Sequence, residues 1–139
     1  MPIIIVLFGL FSGLVVLEFF LERRRLLKLC SSGCTGRLWR RAFVNTSKQD
    51  LRAYFDVVHA AFGLADRYRL RLAPNVKLMD LYHVTSPAYQ GFDALELETF
   101  SLLLEDRFGT DPLQDWRTDL TLGEVFARTQ PSAGSQRDV

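Results

Sequence analysis

Hydrophobic and polar positions divide this chain into unlike stretches. Residues 2 to 17 carry no charge, and Glu18 is the only charge before Glu22. An apolar run with no polar face belongs to a membrane-spanning helix or to one buried on all sides. At about 1.5 Å of rise per residue, PIIIVLFGLFSGLVVLEFFL (residues 2 to 21) is long enough to cross a hydrocarbon core of roughly 30 Å. Glu18 would then lie near one interface, where a charge costs less than at the centre. The run has no basic residue ahead of it and no small-x-small cleavage site behind it, which argues against a secretory signal. The expectation is a transmembrane helix over residues 1 to 21.

From residue 47 the pattern turns to helical period. Ser47 is a candidate cap for a helix over about 48 to 62, with Leu51, Tyr54, Phe55, Val58 and Phe62 on one face. Gly63 is a candidate C-terminal cap. A long connection, residues 65 to 91, follows. Leu70, Leu72, Val76, Leu78, Leu81 and Tyr82 can hold it to a core, and the alternation of Arg67, Arg69 and Arg71 with Tyr68, Leu70 and Leu72 permits a short extended piece.

The next helix is expected within GFDALELETFSLLLEDRFG (residues 91 to 109). Asp93 is its candidate N-cap, at the positive end of the macrodipole. Leu97, Phe100, Leu104 and Phe108 form an inward stripe with Leu103 beside it, leaving Glu96, Glu105 and Asp106 for the outer surface, with Glu98 nearby. Residues 110 to 120 have room for one short helical turn with Leu113 and Trp116 facing in. TLGE (Thr121 to Glu124) is a capping-box sequence that opens a last helix with Leu122, Val125 and Phe126 inward. The tail from Pro131 is polar, and residues 130 to 139 are expected to be disordered.

Charge sharpens this division. The chain has 139 residues and a formal net charge of only +1. Residues 22 to 41 hold seven bases and one acid, a net +6, whereas residues 80 to 124 hold ten acids and two bases, a net −8. Arg23, Arg24, Arg25 and Lys28 flank the C-terminal end of the apolar run. Positive charge on that side places the body in the cytoplasm, as a single-pass membrane protein. Residues 22 to 46 then read as a basic juxtamembrane segment and linker, broken at SSGCTG. No aromatic-interleaved basic motif or recognition-helix pattern points to nucleic acid.

Candidate chemistry is sparse. Cys30 and Cys34 stand C-x3-C, with His59 and His83 in another segment at no ligand-like spacing, so no metal site is expected. Ordinary reduced thiols are the simpler reading, with lipidation of a membrane-proximal Cys as the alternative. His59, just off the apolar face of its helix, reads as a half-buried structural residue. There is no nucleophile–base–acid set and no Gly-rich phosphate loop, and the chain reads as no enzyme and as holding no cofactor.

Three local strings resemble the acyl carrier protein family in order and spacing. LAPNVKLMDLY (72 to 82) is similar to the loop before the carrier motif. GFDALELETFSLLLEDRFG is similar to the G-x-D-S-L-[DE] motif and its helix. TLGEVF (121 to 126) is similar to the start of the final helix. The resemblance covers about 47 to 129. It implies an all-α fold, a carrier-like bundle of three main helices plus one short helix behind the N-terminal transmembrane helix. In that family a serine after the aspartate carries phosphopantetheine; here Ala94 stands at the matched position, without a hydroxyl. Ser86, ahead of Pro87, and Ser101, two turns into the helix, are poor substitutes.

The resemblance therefore implies a degenerate carrier whose acidic helix docks a partner protein with a basic patch, with Asp93, Glu96, Glu105 and Asp106 as the carried-over docking positions. The expected function is a membrane-anchored, non-catalytic adaptor or scaffold. The alternatives are a carrier or accessory subunit of fatty-acid or polyketide-type acyl transfer, and a small helical regulator of unrelated ancestry.

Overall fold

The computed structural model describes residues 2–86, 95–109, 111 and 114–130, without the side chains of 2–10, 18, 19 and 22. Its described residues form seven helices and no strand. The α-helices are α1 (Pro2–Leu29), α2 (Gly36–Ala42), α3 (Lys48–Phe62), α4 (Leu78–Thr85), α5 (Leu95–Phe108) and α6 (Leu122–Thr129), with a 3-10 turn at Asp66–Tyr68.

α3 forms where its pattern places it. Ser47 accepts a hydrogen bond from the Asp50 amide at 3.0 Å. Gly63 closes the far end in the left-handed region, at φ 59°, which costs glycine little. Tyr54, Phe55, Val58 and Phe62 are buried. Together with Phe100 and Leu104 of α5 and Leu122, Val125 and Phe126 of α6 they make one core. α6 starts at the full capping box: the Thr121 hydroxyl accepts from the Glu124 amide, and the Glu124 carboxylate accepts from the Thr121 amide.

The connection of residues 65 to 91 departs from its reading. No extended piece lies at 67 to 72; the 3-10 turn and hydrogen-bonded turns occupy that stretch, and α4 follows. α4 lacks a side-chain cap at Lys77. Its start is set from outside, by an isolated antiparallel bridge between Lys77 and Thr121. There the Leu78 amide donates to the Leu120 carbonyl at 2.8 Å and the Leu122 amide to the Val76 carbonyl at 2.9 Å. Gly123 donates to Pro74 in the same place, and a Cβ on Gly123 would stand 2.9 Å from the Pro74 oxygen.

The segment read as a basic linker also departs. Its residues 36 to 42 are α2, and Trp39 is fully buried in the core. The indole stacks on Phe43 and meets Tyr54, Phe55 and Phe126. A buried Trp needs a partner for its N–H, and the Leu72 carbonyl accepts it at 2.8 Å. The Thr35 hydroxyl, also buried, lies 3.0 and 2.9 Å from the carbonyls of Leu70 and Leu72. The chain from Cys30 to Phe43 is thereby part of the body.

The transmembrane reading of residues 1 to 21 is unsupported: among the described residues no helix is long and apolar enough to cross a membrane. α1 is 28 residues long and runs unbroken through the basic cluster to Leu29. Its last turns lie against α4, with Leu26 and Cys30 touching the core. Along the described part from 11 to 21, its apolar side chains are exposed.

Residues 110, 112 and 113 lie outside the described residues, so Leu113 does too. Trp116 was expected inside and is 41% exposed. Residues 114 and 115 form only a turn, and Leu120 takes the inward role in this connection. The expected disordered tail falls on 131–139, outside the described residues apart from Gln130, which caps α6.

Candidate functional site

α5 is held by its inner face. Phe100 and Leu104 are fully buried, and Leu97, Leu103 and Phe108 pack against the same core. The buried stripe fixes which side chains point away. Leu95 and Leu102, seven residues apart, are 58% and 60% exposed. Glu98 and Glu105 repeat the same spacing beside them, and Asp106 continues the acidic edge; all three acids are exposed. Seven residues are close to two helical turns, so both pairs recur on one side of the helix.

Of the four positions expected to dock a partner, Glu105 and Asp106 lie on that side and Glu96 does not. Glu96 and Glu105 are nine residues apart, two and a half turns, which puts them roughly 180° apart. Glu96 is accordingly half-buried, while Glu105 and Asp106 are exposed. Asp93 and Ala94 lie outside the described residues. The outer face is therefore Leu95, Glu98, Leu102, Glu105 and Asp106. Sequence reasoning had Glu98 only as a neighbour and missed the two leucines; their i, i+7 spacing opposite Phe100 and Leu104 was the available signal. Exposed apolar side chains edged by acids can bury hydrocarbon against a partner while the carboxylates select a cationic one.

The basic positions are accessible. Arg23, Arg24, Arg25 and Lys28 are all exposed on α1, and Arg23 and Leu26 border a cleft closed by Phe62, Leu64, Tyr68 and Val84. Cys30 is buried and Cys34 exposed, and both are free thiols. Burial raises the Cys30 pKa, and Arg71 works against that shift.

His59 is half-buried, and neither ring nitrogen has a hydrogen-bond partner among the described residues. Burial lowers its pKa, with partial opposition from the Asp66 carboxylate and the Leu64 backbone. His83 is exposed on α4. Among the described residues no group of three His, Cys, Asp or Glu side chains could hold a metal ion. Tyr54 is buried with its pKa pushed up, and its hydroxyl donates to the Leu122 carbonyl at 2.8 Å, so it ties α3 to α6. Ser86 ends α4, and the Ser101 hydroxyl donates to Asp111 at 3.0 Å. No protein-family model, curated protein or solved structure matches the chain.

Proposed function

We propose that this chain is a membrane-anchored, non-catalytic, carrier-like adaptor that docks a protein with a basic patch through the outer face of α5. The observation that carries the reading is that face: exposed Leu95 and Leu102 beside Glu98, Glu105 and Asp106, on a helix whose opposite side is locked into the core. Segregated charge adds to it. The net −8 of residues 80 to 124 would steer a cationic partner over about 8 to 10 Å at ordinary ionic strength.

The anchoring part rests on the apolar residues of α1 that the described structure leaves exposed, followed by Arg23, Arg24, Arg25 and Lys28. Bases in that position favour an anionic surface by about 1 kcal/mol each. Fractionation of cells expressing the native chain tests it; recovery of the protein wholly in the soluble fraction rejects the anchor.

The adaptor reading, as opposed to acyl carriage, rests on Ala94 at the position matched to the carrier serine. A methyl group cannot form the phosphodiester. Co-expression with a phosphopantetheinyl transferase should leave the intact mass unchanged, and a phosphopantetheine adduct would restore the carrier alternative. Docking itself is tested by replacing Glu98, Glu105 and Asp106 together with Lys, which should abolish partner capture.

A further inference from the structure

The connection between α2 and α3 borders a groove that the docking face of α5 does not use. Its volume is about 510 Å³, within the roughly 300–1,000 Å³ of small-molecule sites. Phe43 and Leu51 line it, and both also touch the core. At its edge Val44 is 80% exposed and Leu70 44%, so apolar surface continues outward from the groove.

Three cations border the same space. Lys48 and Arg52 stand one turn apart at the start of α3, and Arg40 comes from the last turn of α2. None of them takes part in an ion pair among the described residues. No acid lines the groove among those residues. The nearest acid along the chain, Asp50, accepts the Ser47 hydroxyl at 2.6 Å. The positive end of the α3 macrodipole lies on the same side.

An apolar lining edged by unpaired cations suits a molecule with a hydrocarbon chain and an anionic head. A small inorganic anion would leave the apolar lining wet. A neutral hydrocarbon would leave three charges without a role. We propose that the groove binds a single-chain anionic lipid, with the chain over Phe43 and Leu51 and the head among Arg40, Lys48 and Arg52. This site is independent of the α5 docking surface.

The test uses the full-length chain in phosphatidylcholine vesicles and a diazirine-bearing hexadecanoic acid, with adducts mapped by peptide mass spectrometry. A second arm uses the matching diazirine alcohol, and a third adds excess inorganic phosphate to the acid. Adducts should fall within residues 43 to 52, with the acid exceeding the alcohol about tenfold, equivalent to ~1.4 kcal/mol. Phosphate should not compete. Arg40→Glu, Lys48→Glu and Arg52→Glu together should bring the acid down to the level of the alcohol. All three positions are exposed, so the helices should persist by circular dichroism. Val44→Asp, at the rim, should reduce labelling by both probes. Equal labelling by acid and alcohol, adducts confined elsewhere, displacement by phosphate, or full labelling of the triple variant would each overturn the proposal.

Discussion

The indole N–H of Trp39 donates to the Leu72 carbonyl over 2.8 Å, tying α2 to the turn ahead of α4. Both ends are buried, so the bond is made out of water. Trp39→Ala also empties a large core volume and should destabilise by about 3–5 kcal/mol. Trp39→Phe keeps most of the packing, and Thr35 still reaches the Leu72 oxygen, so its cost should be nearer 1–2 kcal/mol. Urea unfolding of the two variants checks the order. Equal stability of Trp39→Ala and the parent chain would place α2 outside the folded unit.

The close approach at Gly123 makes a second prediction. A methyl group there meets the Pro74 backbone at 2.9 Å, and backbone cannot swing aside as a flexible side chain does. Gly123→Ala should cost roughly 1–3 kcal/mol by overpacking. Hydrogen exchange should accelerate at the amides of Leu78 and Leu122, the two that bridge these segments. An unchanged melting temperature contradicts the bridge.

His59 gives stability a pH dependence. Its folded pKa is lowered, chiefly by burial, so the folded state resists protonation. The contribution is fully present above the unfolded pKa, about 6.5, and is lost as pH falls through the lowered folded value. Thermal melts should therefore weaken on acidification from near neutrality, before most carboxylates titrate. His59→Leu removes the half-buried titratable ring and should flatten that slope. A slope identical to that of the parent chain would mean that other groups cause it.

The capping box at α6 acts lower on the pH scale. The Thr121 backbone amide and hydroxyl, then Arg117, hold the Glu124 pKa below the usual carboxylate value. The support it gives is present above the unfolded glutamate pKa and is lost as pH falls through the lowered one. Thr121→Ala should cost about 0.5–2 kcal/mol at neutral pH. Its deficit relative to the parent should shrink in acid, where the box is already weakened. A deficit that grows in acid contradicts this assignment.

Local signals and distant ones were not equally legible in the sequence. Ser47 and Gly63 delimit α3 to the residue because both caps act within one turn. The Thr121–Glu124 box does the same for α6. α4 was hidden because Lys77 offers no side-chain cap; a bridge from Thr121, far along the chain, sets its start. Trp39 sits between basic neighbours, and that context read as a linker, although Trp39 and Phe43 at i, i+4 mark an apolar helix face. Trp116 was placed inward on an expected helical turn, yet Leu120 fills that place. On α5 the inward stripe was legible, but the carrier resemblance grouped Glu96 with Glu105 where helical period separates them.

The outer face of α5 is the centre of this account, and its specificity is what matters. Full-length chain is immobilised in four forms: parent, Glu96→Lys, Glu98→Lys/Glu105→Lys/Asp106→Lys, and Leu102→Asp. Bound proteins are compared at low and high salt. The account predicts a partner retained by the parent and by Glu96→Lys, lost from the triple variant and from Leu102→Asp, and released by salt. A partner held equally by the triple variant, or lost equally from Glu96→Lys, would contradict docking through this face.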